Sequence, residues 1–160
     1  MIKVTLSERT FENDIHPLVK AFYPREEVVV TDQDNHNGNE DEDITGRIRM
    51  DFYKDKVNIE IKIEGSKKDE AADLPDMTEN RTAYKNAMKR HLYKMLSSIT
   101  GKELPWGTLT GIRPTKLVYD MLDKGLNEDG IYNIMKKEYL CSEEKTELSI
   151  DIANRERKIL

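Results

Sequence analysis

Strict alternation of apolar and polar residues over 57–63 constrains the fold of this chain more than any other sequence feature. Val57, Ile59, Ile61 and Ile63 alternate with polar residues, which is typical of a β-strand with one buried face. Residues 44–52 alternate in a similar way, and the four residues between the two segments suit a hairpin turn. The sequence therefore predicts a β-hairpin.

Further strand and helix patterns precede and follow this hairpin. Residues 2–6 and 28–31 are predicted strands, and residues 11–22 show helical spacing that ends before Pro24. Residues 65–75 are polar, and we predict that they form a connector. The predicted order is β-α-β-β-β, which indicates a small, mainly antiparallel sheet.

Four helices are predicted after this connector. The longest carries an apolar stripe over 84–99 and ends at Gly101, and Asp76 and Glu79 have the spacing of a capping box at its start. The other helices are predicted to begin at Pro114, Asn127 and Ser142.

The whole pattern predicts an α+β fold in two parts. A sheet part covers 1–75 and a helical part covers 76–160. The alternative is that the two parts share a single core. The last predicted helix runs to Leu160 without a stop signal. We therefore expect that the chain is cut inside or just after a helix.

The composition predicts a soluble cytoplasmic protein without disulfides. The 160 residues carry a net charge of -5, which argues against a protein that coats nucleic acid. No apolar run approaches the ~20 residues that span a bilayer, and residues 1–9 do not have the apolar region of a signal peptide. The one cysteine, Cys141, cannot form an internal disulfide or a cysteine-based metal cluster.

Two groups of polar residues invite a metal or catalytic hypothesis, and neither has the required spacing. The acidic segment 32–43 fails the calcium-loop motif because His36 and Gly38 fall at the wrong positions and Asp43 replaces the final glutamate. We interpret it as a solvated loop. The histidines lack metal-site spacing; they are His16, His36 and His91. No metal ligand or catalytic residue is predicted.

The segment 78–102 is a candidate basic surface inside an acidic chain. It holds six lysines and arginines and the single carboxylate Glu79. The pattern is typical of a solvated helix face, and it also suits docking of an acidic partner, an RNA backbone or an anionic ligand. The candidate basic face consists of Lys85, Lys89, Arg90 and Lys94.

The segment 104–116 is the second candidate site. Gly111 permits unusual backbone dihedral angles, and Pro114 begins a helix whose first turn has unpaired N–H groups. Arg113 and Lys116 flank this positive helix end, which suits a carboxylate or a phosphate. A tight structural loop is the alternative. The candidate contact residues are Trp106, Thr110, Gly111, Arg113, Thr115 and Lys116.

The same region carries a family resemblance. The run from Met95, MLSSITGKELPWGTLTGIRPTKLVYDML, resembles the N-terminal region of HemZ-type proteins of the oxygen-independent coproporphyrinogen III oxidase (coproporphyrinogen dehydrogenase) family. The segments 19–24, 143–148 and 151–156 fit the same region. The resemblance spans most of the chain and is most specific over 106–116.

The resemblance implies the N-terminal domain of a radical S-adenosylmethionine enzyme of heme biosynthesis. In that family a Cys-x-x-x-Cys-x-x-Cys motif binds a [4Fe-4S] cluster that cleaves S-adenosylmethionine, and coproporphyrinogen III is decarboxylated to protoporphyrinogen IX. With Cys141 alone, this chain departs from the pattern and cannot hold the cluster. The implied role is therefore non-catalytic, with no cofactor bound to this fragment. The expected partners are a C-terminal radical S-adenosylmethionine barrel and a tetrapyrrole substrate.

An RNA-binding or protein-docking module that uses the basic 78–102 segment is the alternative function. The net charge of -5, the acidic loop and the lack of interleaved aromatic residues argue against nucleic acid as its partner. The sequence shows no nucleophile paired with a general base, so it does not favour an independent enzyme.

Overall fold

The computed structural model describes residues 1–32, 43–110 and 113–159. The chain forms two compact units, Met1–Lys102 and Glu103–Leu160. Most of the acidic segment predicted to be a loop, together with Gly111, lies outside the described residues. None of the helices within the described ranges has both the length and the apolar character needed to cross a membrane.

The described residues of the first unit form a five-stranded sheet and two helices. Its elements are β1 (Ile2–Leu6), α1 (Glu12–Phe22), β2 (Val28–Thr31), β3 (Gly46–Phe52), β4 (Lys56–Ile63), β5 (Ser66–Asp73) and α2 (Arg81–Thr100). The strand order is β2-β1-β3-β4-β5, in which β1 runs parallel to both of its neighbours and the other pairs are antiparallel. The predicted α+β class is confirmed. The sheet is mixed rather than mainly antiparallel, because β1 lies between β2 and β3.

The strand register places the apolar side chains on one face of the sheet. Val4 lies opposite Ile48, which lies opposite Ile61, and all three side chains are buried. The helices α1 and α2 cover this face, where the ring of Phe11 at the start of α1 stacks on Tyr84 of α2 at a centroid distance of 5.6 Å. The apolar residues of the alternating strands therefore form the core of the first unit.

The prediction of a polar connector at 65–75 was wrong, because residues 66–73 form the edge strand β5. A two-residue turn of Glu64 and Gly65, both with positive φ, joins β4 to β5, as in a tight hairpin. Most β5 side chains are exposed and only Ala72 is buried. An edge strand of this kind needs no apolar alternation, so the sequence carried no strand signal.

The predicted capping box at the start of α2 was also wrong. The helix begins at Arg81, and the side chain of Asn80 accepts a hydrogen bond from the backbone N–H of Ala83 at 3.0 Å. Asp76 instead accepts hydrogen bonds from the backbone and the hydroxyl of Thr78. The backbone N–H of Met77 donates to a carbonyl of the β3–β4 turn, which holds this segment against the sheet before the helix begins.

The division of the chain into units falls after α2. The parts predicted from the sequence are 1–75 and 76–160, whereas the structure places α2 in the same unit as the sheet. The reason is packing, since Tyr84, Met88, Leu92 and Leu96 of α2 are buried in that unit. The predicted helix end at Gly101 is confirmed by its left-handed conformation.

In the second unit, the part of the chain that the structure describes forms three helices, α3 (Pro114–Asp123), α4 (Glu128–Lys137) and α5 (Glu143–Ile159). Their predicted starting points are confirmed. Pro114 is the first helical residue of α3, and the side chains of Asn127 and Ser142 accept backbone hydrogen bonds at the starts of α4 and α5. The buried core comprises Leu109, Val118, Met121, Leu122, Ile131, Met135, Cys141, Ile150 and Ala153.

Backbone contacts bind the loop 103–110 to the connection between α4 and α5. The N–H of Thr108 donates to the carbonyl of Tyr139 at 2.8 Å, and the N–H of Ser142 donates to the carbonyl of Pro105 at 2.8 Å. Gly107 has a φ of 59°, and a Cβ atom on it would lie 2.0 Å from the Tyr139 carbonyl oxygen. Only glycine fits at this point of close approach.

The hydroxyl of Tyr84 gives the first unit a test of stability. It donates to the carbonyl oxygens of Tyr53 at 2.8 Å and Lys56 at 3.2 Å. We expect Tyr84→Phe to lower the free energy of unfolding by about 1 kcal/mol in urea titrations followed by circular dichroism. Tyr53→Phe is the matched control, because the Tyr53 ring is exposed.

The same substitution changes the pH dependence. Burial raises the pKa of Tyr84 from 10.0 to about 12, with a further contribution from Glu8. The folded state thus favours the neutral hydroxyl, and its stabilising effect is complete below about pH 10 and lost as the pH rises through about 12. We expect wild type and Tyr53→Phe to lose stability across this window and Tyr84→Phe to lose less; equal slopes would contradict the assignment.

Gly107 supplies a test for the second unit. Gly107→Ala forces a Cβ atom against the Tyr139 carbonyl, and we expect a loss of about 3 kcal/mol or more. Gly125 also has a positive φ, 87°, but a Cβ atom there meets nothing within 4 Å. Gly125→Ala is therefore expected to cost about 1 kcal/mol. Urea unfolding followed by the fluorescence of Trp106 measures the free energy of unfolding of both variants. Similar losses would show that the cost comes from the positive φ alone and not from the contact with the Tyr139 carbonyl.

Candidate functional site

A groove of about 650 Å³ lies on the surface of the second unit, between the start of α3 and the outer side of α5. Its apolar wall combines side chains from the 103–110 loop and both helices. This wall consists of Trp106, Tyr119, Leu148 and Ile152. The volume is within the range of about 300–1,000 Å³ that is usual for small-molecule sites.

Four of the predicted contact residues line this groove. They are Trp106, Arg113, Thr115 and Lys116. Thr110 is not part of the lining; its hydroxyl oxygen is buried and, within the described part of the chain, has no hydrogen-bond partner. The structure therefore places the 103–110 loop beside the start of α3 at Pro114, because only a few residues separate them in the sequence.

The contribution of α5 to the groove was not predicted from the sequence. Leu148 and Ile152 lie one helical turn apart, on a different side from the buried Ile150 and Ala153. Leu148 is 41% exposed and belongs to the apolar wall of the groove. The spacing of these two residues was the available signal, and it needed the orientation of α5 to be recognised.

Charged side chains of both signs lie beside the apolar wall of the groove. Arg113 precedes Pro114 and Lys116 lies in the first turn of α3, where the helix dipole adds positive potential. The ammonium group of Lys145 lies 5.5 Å from the centre of the Trp106 ring. The carboxylates of Asp120 and Glu156 also line the groove. This arrangement suits an apolar ligand that carries more than one carboxylate.

The four residues of the candidate basic face do not share one exposed face of α2. A rotation of about 100° per residue places Lys85 and Lys89 on one side of the helix and Arg90 and Lys94 on another. Lys85 lies 4.0 Å from a carboxylate oxygen of Asp14 in α1. Lys89 is buried, with 4% of its surface exposed, whereas Lys94 is exposed.

Burial lowers the pKa of Lys89, because desolvation penalises its charged form, and the effect of Lys85 adds to it while Asp14 opposes it. The low exposure and the lowered pKa mark Lys89 as a residue of the helix–helix contact rather than of a solvated surface. A partner that reads the basic charge of α2 would meet exposed Lys94 and not Lys89.

The remaining singled-out residues have structural contacts. His91 pairs with Glu70 of β5 through Nδ1 at 2.7 Å, and the ring of His16 contacts the carbonyl of Val28 at 3.0 Å. Cys141 packs in the core of the second unit, and burial raises the pKa of its thiol to about 11. Across the described ranges, no group of three or more potential metal ligands is found.

Comparison with known proteins supports the resemblance seen in the sequence. The chain is 38% identical over 84 residues to the oxygen-independent coproporphyrinogen-III oxidase-like protein HemZ of Bacillus subtilis (strain 168). The resemblance to HemZ-type proteins is confirmed. The match covers 51% of this chain and 17% of that relative, so the chain spans only part of the length of the curated relative that it matches. No family model and no solved structure matches the chain.

Lys89 generates a prediction about stability. Replacing a buried charge by an apolar side chain of similar length removes a desolvation penalty, so we expect Lys89→Met to raise the free energy of unfolding by about 1 kcal/mol near pH 7. The penalty is present below the lowered pKa and disappears as the pH rises through the ordinary value of 10.5. The gain is therefore expected to shrink at alkaline pH.

Lys94→Met is the matched control on the same helix. Lys94 is exposed, so its substitution is expected to change stability by less than about 0.5 kcal/mol. Urea unfolding of both variants near neutral and alkaline pH is the measurement. A lower free energy of unfolding for Lys89→Met would contradict the prediction and show that the Lys89 ammonium stabilises the folded protein.

Proposed function

We propose that this chain is the non-catalytic N-terminal part of a HemZ-type oxidoreductase of heme biosynthesis, which oxidatively decarboxylates coproporphyrinogen III to protoporphyrinogen IX in its full-length form. The similarity to the Bacillus subtilis HemZ protein supports the family, and its coverage of 17% of that protein supports a part of a longer chain. The expected structural partner is the radical S-adenosylmethionine barrel of the same protein.

The residues of this chain do not fit the family's iron–sulfur cluster. A [4Fe-4S] cluster needs several thiolate ligands, and the sequence contains one cysteine. That residue, Cys141, is buried, and its raised pKa keeps the thiol protonated near neutral pH. We therefore assign the cluster and S-adenosylmethionine to the barrel, and no step of the radical reaction to this chain.

The groove of the second unit suggests what this part contributes. A porphyrinogen is an apolar macrocycle with carboxylates at its edge, and the groove joins an apolar wall to cations at its margin. Trp106 and Tyr119 offer aromatic surface, and Arg113, Lys116 and Lys145 offer charge for propionate carboxylates. The proposed role is to bind and orient the substrate beside the barrel. The observation that carries it is the meeting of Trp106, Arg113 and Lys116 in one groove.

The single tryptophan makes this proposal directly testable. Because Trp106 lines the groove, bound coproporphyrin III is expected to quench its fluorescence in a saturable way. N-acetyl-tryptophanamide, titrated in parallel, corrects for light absorbed by the porphyrin. Arg113→Ala combined with Lys116→Ala removes two charges from the groove and is expected to weaken binding by at least about tenfold.

Lys136→Ala combined with Lys137→Ala is the matched control. Both residues are exposed near the end of α4 and neither lines the groove, so the same change in net charge leaves affinity within about twofold. Equal weakening by both double variants, or no saturable quenching, would overturn substrate contact. In the full-length enzyme, a higher activity with the intact groove than with the groove double variant would support a role in substrate binding in the longer protein.

A further inference from the structure

The groove of the second unit has a direction, because the two helices that form it run the same way. The start of α5 lies beside the loop that precedes α3, where the N–H of Ser142 donates to the carbonyl of Pro105 at 2.8 Å. At the other end, Nε of Arg157 in the last turn of α5 lies 3.5 Å from a carboxylate oxygen of Asp123, the last residue of α3. The groove therefore extends from the starts of both helices toward their C-terminal ends.

The charged residues that line the groove are separated by sign along this direction. Arg113 and Lys116 lie at the start of α3, whereas Asp120 lies one turn further along that helix. Glu156 lies two turns beyond Leu148, toward the end of α5. With a rise of about 1.5 Å per residue, Arg113 and Asp120 are about 10 Å apart along the helix axis. The groove thus has a positive end and a negative end, with the apolar wall between them.

The four charged groups at these ends are not neutralised by the chain itself. Within the described residues, none of them has an ion pair or a side-chain hydrogen bond, and all four are exposed. Other carboxylates nearby are paired, since Asp151 of α5 lies 3.1 Å from Arg155 and Asp123 lies 3.5 Å from Arg157. The charges of the two ends are therefore available to a ligand in the groove.

We propose that Asp120 and Glu156 determine the specificity of the groove by excluding carboxylates from its negative end. This inference rests on the tetrapyrrole role proposed above. A carboxylate is repelled by Asp120 and Glu156 and attracted by Arg113 and Lys116, so a tetrapyrrole binds with its propionates at the positive end. A ligand with carboxylates on one edge of the ring satisfies this arrangement, whereas one with carboxylates all round the ring places at least one at the negative end.

Two porphyrins that differ in the distribution of their carboxylates test the proposal. Coproporphyrin III carries four propionates around the ring, and deuteroporphyrin IX carries two on one edge. Their affinities are measured at low ionic strength from the quenching of Trp106 fluorescence, with N-acetyl-tryptophanamide as the absorption correction. We expect Asp120→Asn combined with Glu156→Gln to tighten coproporphyrin III binding by at least about threefold and deuteroporphyrin IX binding by less than about 1.5-fold.

Asp129→Asn combined with Glu147→Gln is the matched control. It makes the same change in net charge in the same unit, and both residues are exposed and lie between α4 and α5 outside the groove. We expect it to change the affinity for either porphyrin by less than about 1.5-fold, and we expect the selective effect of the groove variant to fade as salt is added. Urea unfolding followed by circular dichroism verifies that both double variants are folded.

The failure of this inference is distinguishable from the failure of the proposed function. Equal shifts in affinity for the two porphyrins, or equal effects of the groove and control variants, would overturn the role of Asp120 and Glu156 while tetrapyrrole binding stands. Absence of saturable quenching by either porphyrin would overturn the proposed substrate contact and this inference with it.

Discussion

The burial of one face of the sheet is the constraint on which the first unit depends. Val4, Ile48 and Ile61 meet in register across three strands and are covered by α1 and α2. Because side chains alternate with a period of two, the register that aligns these residues also aligns Lys3, Arg47 and Lys62 on the opposite face. A slip by one residue would bury these cations in the core, so core packing fixes the register of the sheet.

The second unit depends on the contact between the 103–110 loop and the connection before α5. Gly107 permits the backbones to meet, and the thiol of Cys141 contacts the carbonyl of Trp106 at 3.2 Å. Thr146 and Ala153 lie on the buried side of α5, and Leu148 lies on its exposed side. The groove therefore forms between the outer apolar stripe of α5 and the 103–110 loop, while the inner apolar stripe of α5 packs in the core.

Sequence reasoning succeeded where a local pattern has a local cause. Alternation predicted β3 and β4, and Pro114 predicted the start of α3, because both signals act within a few residues. It failed for β5, whose pairing with β4 needs no apolar residues, and for the start of α2, where the β3–β4 turn holds Met77. The strand order depends on pairing between segments that are distant in the chain, which no single segment of sequence encodes.

The groove of the second unit offers a ligand apolar surface as well as charge. It combines aromatic and aliphatic side chains, so a ligand there gains from removal of apolar area from water, which salt hardly weakens. Arg113 and Lys116 add charge, but interactions between exposed charges are screened over about 8–10 Å at ordinary ionic strength. Because each exposed ion pair contributes about 1 kcal/mol or less, the apolar wall is expected to supply most of the affinity and the cations to orient the ligand.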